Sequence, residues 1–185
     1  RARVRPDYDF RMRDVARATS AAPTYFEPHK IPADEDGRDY YALIDGGVFA
    51  NNPAMCAYAE AQTTAPGADV LLVSLGTGEL VRPIHYDDAK GWGLAHWAQP
   101  ILGTVFDGVS DTVDYQLDRL LNGRSVRRRR YYRFQVRLDE GNDDMDDASR
   151  TNIRMLKLLA EDLIRRSKRE LDALCRQLVR ELQPA

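Results

Sequence analysis

An acidic residue followed by two glycines is the feature of this sequence that most directly suggests catalysis. Asp45 ends the apolar run Tyr40 to Ile44, which predicts a short strand, and Gly46 and Gly47 predict a tight turn. Ligands and chemistry collect at the carboxyl ends of strands in open parallel sheets, and glycines let another backbone segment approach closely. Asp45 is therefore a candidate catalytic carboxylate. The alternative is a β-turn in which Asp45 caps its own turn.

The elements around Asp45 predict a parallel sheet. Asn52 and Pro53 are typical of a helix start, and Ala54 to Gln62 supplies the helix body. The apolar run Val70 to Leu75 predicts a strand buried on both faces. Strand, helix and strand within about 35 residues form a βαβ pattern. We expect an α/β fold with a mostly parallel sheet flanked by helices, in which both strands are central.

The remaining pattern adds helices at both ends of the chain. Small and apolar residues from Phe10 to Ala22 predict a helix, as does the stretch Pro100 to Leu121. Tyr131 to Leu138 predicts a strand, after which an acidic loop from Asp139 to Asp147 leads into one long amphipathic helix. We expect Asp146 and Asp147 to cap that helix. Its apolar positions share one face: Leu156, Ala160, Leu163, Leu171, Leu174, Leu178 and Leu182.

Composition favours one globular domain over residues 1–185. The chain is 43% hydrophobic and 30% charged, and its formal net charge of −2 gives no reason to expect a nucleic-acid partner. Cys56 and Cys175 lie outside any metal-binding or redox motif, so we expect structural thiols. No apolar run approaches the roughly 18 residues of a membrane span, and no secretory signal is visible. A cytoplasmic protein, with peripheral contact to membranes, is the expectation.

Three ordered segments carry a family resemblance. They are Ala16 to Pro28, with the sequence ARATSAAPTYFEP; Leu43 to Pro53, with the sequence LIDGGVFANNP; and Ser74 to Gly78, with the sequence SLGTG. This set resembles the patatin-like phospholipase family, and the resemblance extends through Trp92 to Leu121 and to the helix start at Asp146 to Ser149. It implies a three-layer α/β architecture whose N-terminal part is missing from this chain.

The resemblance also implies a function, that of a serine-type lipid acyl hydrolase. In that family a serine in a G-x-S-x-G motif attacks a lipid ester, a glycine-rich loop forms the oxyanion hole, and an aspartate activates the serine. By motif position that aspartate is Asp45, and Gly46 and Gly47 complete its motif. No metal or cofactor is required, and the expected partner is a lipid or phospholipid acyl ester. The three histidines, His29, His85 and His96, lie outside the matched motifs, so we expect surface or local structural roles for them.

The nucleophile is the departure from the family pattern. No serine of the chain lies in a complete G-x-S-x-G frame, and the glycine-rich loop is also missing. Both would precede Arg1 in the family order, so we expect the isolated chain to be inactive. We also expect it to be stable only with the upstream half of the protein or as a self-associating oligomer. The alternative is a non-catalytic α/β binding or interaction module.

Three weaker features keep two interpretations each. Gly76-Thr77-Gly78 is either a tight loop at a strand end or a phosphate-binding turn, with Asp45 then holding a metal. The run Arg127 to Arg130, joined by Arg124 and Arg133, is either a solvated loop or a contact for anionic lipid headgroups on a membrane surface. Trp92 and Trp97 either pack in a core or face lipid.

Overall fold

The computed structural model describes residues 8–34, 36, 38–80, 83–98, 100–123, 128–138, 144 and 146–181. The chain forms two compact units: Arg1–Val70 with Ala98–Leu120, and Leu71–Trp97 with Leu121–Ala185. A single domain over residues 1–185 stays a prediction. None of the described helices combines the length and the apolar character that crossing a membrane requires.

Helices dominate the described residues, and the strands are short. In chain order the elements are α1 (Met12–Thr19), β1 (His29–Pro32), β2 (Tyr40–Leu43), α2 (Gly47–Ala50), α3 (Ala54–Thr64), β3 (Leu72–Leu75), α4 (Tyr86–Ala89), α5 (Leu94–Trp97), α6 (Pro100–Leu121), β4 (Tyr131–Phe134), α7 (Arg150–Arg166) and α8 (Lys168–Glu181). The predicted helix over Pro100 to Leu121 is confirmed, and the predicted helix near Phe10 to Ala22 is α1.

The first unit contains an antiparallel hairpin. β1 pairs with β2, with His29 opposite Leu43 and Pro32 opposite Tyr40, and the Ala33 N–H donates to the Asp39 carbonyl at 2.9 Å. The prediction of Tyr40 to Ile44 as a central parallel strand is therefore wrong for the described residues. Because β1 is close to β2 in the sequence, it is the strand that pairs with β2, in antiparallel orientation. Every residue of β2 is exposed.

The second unit contains the parallel pairing. β3 and β4 pair in parallel, with Leu72 opposite Tyr131 and Leu75 opposite Phe134. The predicted α/β fold class is thus confirmed. A buried cluster of Tyr132, Phe134 and Leu174 joins this sheet to α8, and Leu163 and Leu171 pack against it. These leucines lie on the predicted apolar face, which α7 and α8 share.

Three predictions about this unit need correction. β3 is not buried on both faces, because Leu75 is 74% exposed. The described helical residues Leu163, Leu171 and Leu174 pack against Tyr132 and Phe134 of β4. The last helix is not continuous, because α7 ends at Arg166 and α8 begins at Lys168. Of the apolar positions predicted to share a face, Ala160 and Leu178 are exposed. Leu182 and the acidic residues 139–143 lie outside the described residues.

The start of α7 also differs from the prediction. Ser149 is its N-cap, since the Ser149 Oγ accepts from the Asn152 N–H at 3.2 Å. Asp147 acts one step earlier: its Oδ1 accepts from the Ser149 N–H at 2.9 Å, and its carbonyl accepts from the Asn152 side chain. Serine is a preferred N-cap because its short side chain reaches the orphan amides of the first turn. Asp147 therefore supports the cap and does not form it.

The loop after β3 depends on one glutamine. Gln135 Oε1 accepts from the Gly78 N–H at 2.9 Å, and the Glu79 N–H donates to the Val136 carbonyl at 2.9 Å. Gly78 has φ of +118°, and a Cβ at this position would lie 2.8 Å from a methyl carbon of Leu138. Glycine is therefore required at residue 78 both for backbone conformation and for space.

Gly78→Ala should lower the unfolding free energy by about 1 to 3 kcal/mol, since it adds backbone strain and a clash with Leu138. Urea unfolding measures the change. Gly91→Ala is the matched control, because a Cβ at Gly91 meets nothing within 4 Å. Equal stability of the two variants would contradict the strain assigned to residue 78.

Candidate functional site

Asp45 lies two residues after the end of β2 and is half-buried. Its Oδ1 accepts a hydrogen bond from the Gly47 N–H at 2.6 Å. Among the described residues, none donates a hydrogen bond to the second carboxylate oxygen, Oδ2. The carboxylate therefore caps its own turn, as the local pattern allowed, and retains one oxygen for another donor.

The turn that carries Asp45 is attached to the end of α1. The Asp45 N–H donates to the Ala21 carbonyl at 3.0 Å, and the Gly46 N–H donates to the Thr19 carbonyl at 3.2 Å. A Cβ at Gly46 would lie 2.9 Å from Thr19 Oγ1, which explains the small residue at this contact. The predicted motif segments Ala16 to Pro28 and Leu43 to Pro53 are thus brought together by backbone hydrogen bonds.

Gly47 has a direct effect on the geometry of the carboxylate. A Cβ at this position would lie 2.9 Å from Asp45 Oδ1, so a larger residue would push the carboxylate away from the turn. The backbone of residue 47 is helical, as the first residue of α2, so the requirement here is for space and not for an unusual φ. The two glycines after Asp45 therefore have separate roles: one touches α1 and the other touches the carboxylate.

Asn52 secures the segment that follows. Its Oδ1 accepts from the Ala54 N–H at 3.3 Å, and its Nδ2 donates to the Ser110 carbonyl in α6 at 3.3 Å. The side chain is buried, with 4% of the residue exposed. Asn52 was predicted as the N-cap and Pro53 as the first helical residue, but α3 begins at Ala54 with Pro53 as its N-cap. Asn52 therefore supports the first turn from one position before the cap. The contact with α6 was missed, because no local pattern relates residues 52 and 110.

The Gly76-Thr77-Gly78 loop lies in the second unit. The N–H groups of Gly76, Gly78 and Glu79 all donate within the protein, to Phe134, Gln135 and Val136 respectively. A phosphate-binding turn needs such amides to point at the ligand. The loop geometry therefore favours the tight structural turn over the phosphate-binding interpretation. Among the described residues, no group of three or more His, Cys, Asp or Glu side chains could hold a metal ion.

The histidines and tryptophans have local surroundings. His29 is mostly buried and its Nε2 lies 3.6 Å from Asp14 Oδ1, whereas His85 and His96 are exposed. Trp92 and Trp97 pack edge to face with ring centroids 5.2 Å apart, and both are half-buried. The tryptophans therefore pack against each other. Their half-buried state matches neither a fully buried core nor a fully exposed lipid-facing surface.

The arginine run leads into β4. Arg124 and Arg127 lie outside the described residues. Asn122 Oδ1 accepts from the Arg130 N–H at 2.9 Å and from the Tyr131 N–H at 3.1 Å, which fixes the start of the strand. Arg130 is buried, and Arg133 Nη1 donates to Ser74 Oγ at 2.8 Å. These two arginines therefore serve the fold, while Arg128 and Arg129 are exposed.

Comparisons with known proteins agree with the motif resemblance. The model of the patatin-like phospholipase family matches residues 1–58, a segment that contains Asp45, Gly46 and Gly47. Patatin-like protein 6 from Arabidopsis thaliana is 34% identical over 176 residues, which cover 88% of this chain and 34% of that protein. Probable inactive patatin-3-Kuras 1 from Solanum tuberosum is 30% identical over 183 residues, which cover 89% of this chain and 49% of that protein.

The chain is thus similar to the patatin-like phospholipase family over most of its length. Patatin-like protein 4 from Arabidopsis thaliana adds a third relative, 30% identical over 88% of this chain and 46% of its own length. The chain thus spans less than half the length of each of these three relatives.

Asn52→Ala should lower the unfolding free energy by about 1 to 3 kcal/mol, because it removes the two hydrogen bonds that the buried Asn52 side chain makes to the Ala54 N–H and to the Ser110 carbonyl. Asn51→Ala is the matched control, since Asn51 is the adjacent and exposed asparagine. Chemical denaturation of both variants checks the prediction. If Asn51→Ala lowered the unfolding free energy as much as Asn52→Ala, the loss could not be assigned to the hydrogen bonds of Asn52.

Proposed function

We propose that the protein is a serine-type lipid acyl hydrolase, a phospholipase or esterase, in which Asp45 is the general base of a Ser–Asp dyad. The observation that carries the proposal is the hydrogen bonding of the Asp45 carboxylate. Oδ1 is held by the Gly47 N–H at 2.6 Å, and Oδ2 receives no donor among the described residues. A general base needs an oriented carboxylate with a lone pair left for the proton of the serine hydroxyl, and this geometry provides both.

The chemistry proceeds by acyl transfer. A serine Oγ attacks the ester carbonyl carbon while its proton passes to Asp45 Oδ2, and the oxyanion forms next to backbone donors. Collapse breaks the bond to the leaving alcohol, which takes the proton from Asp45. Water then attacks the acyl-serine ester, Asp45 accepts a proton from it, and that proton returns to serine as the fatty acid leaves. No metal or cofactor enters these steps.

The serine and the oxyanion donors belong, in this proposal, to the upstream half of the same protein. No G-x-S-x-G frame occurs in the 185 residues, and the relatives extend well beyond the matched region. Apolar side chains next to Asp45 are also open to contact, since Phe49 is 88% exposed and Val48 is 48% exposed. We propose that the upstream half covers this surface and delivers the nucleophile to Asp45. A cytoplasmic location stays a prediction.

The second candidate is a non-catalytic α/β binding or interaction module. One observation favours it: a relative that is 30% identical over 89% of this chain is named a probable inactive patatin. A chain that keeps the Asp45 turn but is never joined to a nucleophile would bind lipid without hydrolysing it. Assays of the full-length protein separate the two candidates.

Asp45→Asn should reduce kcat/KM for a short-chain p-nitrophenyl ester by about 30-fold or more in the full-length protein, which corresponds to about 2 kcal/mol of transition-state stabilisation. The amide keeps the size of the side chain and loses the ability to accept the serine proton. Asp39→Asn is the matched control, because Asp39 is an exposed aspartate before β2. Melting curves establish that both variants fold.

Equal hydrolysis by wild type and Asp45→Asn would remove Asp45 from the dyad. No hydrolysis by either protein would favour the binding module. The isolated 185-residue chain is expected to be inactive in the same assay, because it lacks the G-x-S-x-G serine. Ester hydrolysis by the isolated chain, abolished by Asp45→Asn, would show that its nucleophile lies within these residues.

Gly47→Ala should reduce kcat/KM roughly tenfold or more while changing the unfolding free energy by less than about 1 kcal/mol. The added Cβ would meet Asp45 Oδ1 at 2.9 Å and displace the carboxylate, whereas the helical backbone accepts alanine. Gly103→Ala in α6 is the matched control, since a Cβ there meets nothing within 4 Å. Full activity of Gly47→Ala would mean that the observed carboxylate position is not needed for catalysis.

A further inference from the structure

An open groove in the second unit lies between the start of β4 and one face of α8. Its volume is about 580 Å³, and its lining includes five arginines and a single carboxylate. The charged lining residues are Arg128, Arg129, Arg169, Glu170, Arg176 and Arg180. The chain as a whole has a formal net charge of −2, so this groove is a local concentration of positive charge on a weakly acidic protein.

Three of these arginines come from α8, and their spacing sets the shape of the groove. Arg169, Arg176 and Arg180 stand seven and four positions apart, so they project from one narrow stripe of the helix. All three are exposed, and the small side chain of Ala173 lies between them. The helix therefore presents a row of guanidinium groups with free space at its centre.

The opposite wall of the groove is fixed by contacts within the protein. Arg129 Nη1 lies 3.1 Å from Glu170 Oε2, and the Arg129 guanidinium lies 4.8 Å from the centroid of the Tyr132 ring. With its amide oriented to satisfy both of its ends, Gln177 donates to the Arg129 carbonyl at 3.2 Å and accepts from Arg130 Nη1 at 2.9 Å. These contacts hold α8 against the strand that carries Tyr132.

The α8 arginines of the groove differ from Arg165, Arg166 and Lys168 in whether a carboxylate pairs with them. Arg165 and Arg166 pair with Asp162, and Lys168 pairs with Asp172. By contrast, no carboxylate of the described residues pairs with the three α8 arginines of the groove. Glu170, the carboxylate of the lining, is already engaged by Arg129. Positive charge that is concave and uncompensated attracts anions.

We propose that this groove binds the phosphate group of an anionic membrane lipid. Guanidinium groups donate parallel N–H bonds that match phosphate oxygens, and several of them around one space can surround a headgroup. The choice of a lipid phosphate over a free phosphate rests on the proposed lipid hydrolase function. The groove would hold the protein at an anionic surface while chemistry takes place at Asp45.

Flotation of the full-length protein with vesicles of ether-linked phosphatidylcholine, with and without ether-linked phosphatidate, tests the proposal. Wild type should bind the phosphatidate vesicles preferentially, and Arg176→Gln with Arg180→Gln should weaken that binding roughly tenfold or more, since each charge near an anionic surface contributes to affinity. Arg150→Gln with Arg154→Gln is the matched control. It removes the same charge from exposed positions on α7 outside the groove, and should change binding by less than about twofold.

Equal binding by both double variants would overturn the proposal, because affinity would then follow net charge alone. A rise in melting temperature with inorganic pyrophosphate, lost in Arg176→Gln with Arg180→Gln and not accompanied by vesicle binding, would assign the groove to soluble phosphates instead. Ether lipids contain no acyl ester bond, so vesicle binding is measured without turnover. Failure of the binding result therefore leaves the Asp45→Asn result untouched, and the reverse also holds.

Discussion

The hydrogen bond from the Gly47 N–H to Asp45 Oδ1 is the contact on which the candidate site depends. A carboxylate has two oxygens, so the same side chain can cap its turn with one and accept a proton with the other. The structural and the catalytic interpretations of Asp45 are therefore compatible. The condition for both is the absence of a Cβ at residue 47, because that atom would occupy the space of Oδ1.

The position of this turn follows from the hydrogen-bonding needs of the carbonyl groups at a helix end. The last carbonyl groups of a helix have no partner within it, and they must find donors elsewhere. Around the end of α1 the Thr19 and Ala21 carbonyls accept from Gly46 and Asp45. The buried Ala18, Ala21 and Ala22 let the two segments approach this closely. Two motifs some twenty residues apart thus form one structural unit through ordinary backbone bonding.

Local chemistry could be predicted from the sequence, and partners distant along the chain could not. The Asp45 turn and the helix ending at Leu121 follow from residue types and spacing, and the start of α3 was placed one residue too early. The pairing of Tyr40 to Leu43 was missed because His29 to Pro32 contains a proline and a lysine and does not resemble a strand. The groove was missed for a similar reason: Arg176 and Arg180 are far in sequence from the arginine run. Tertiary contacts bring α8 to β4, namely the packing of Leu174 with Tyr132 and the contacts of Glu170 and Gln177.

Grouping five arginines around one space carries an energetic cost, since like charges repel. The fold limits that cost in two ways. Arg129 is held between Glu170 and the face of Tyr132, where ion-pair and cation–π contacts offset its confinement. Arg169, Arg176 and Arg180 remain exposed, so water and salt screen their mutual repulsion. A bound phosphate would replace that screening with direct hydrogen bonds. Its negative charge would also offset the repulsion among the guanidinium groups.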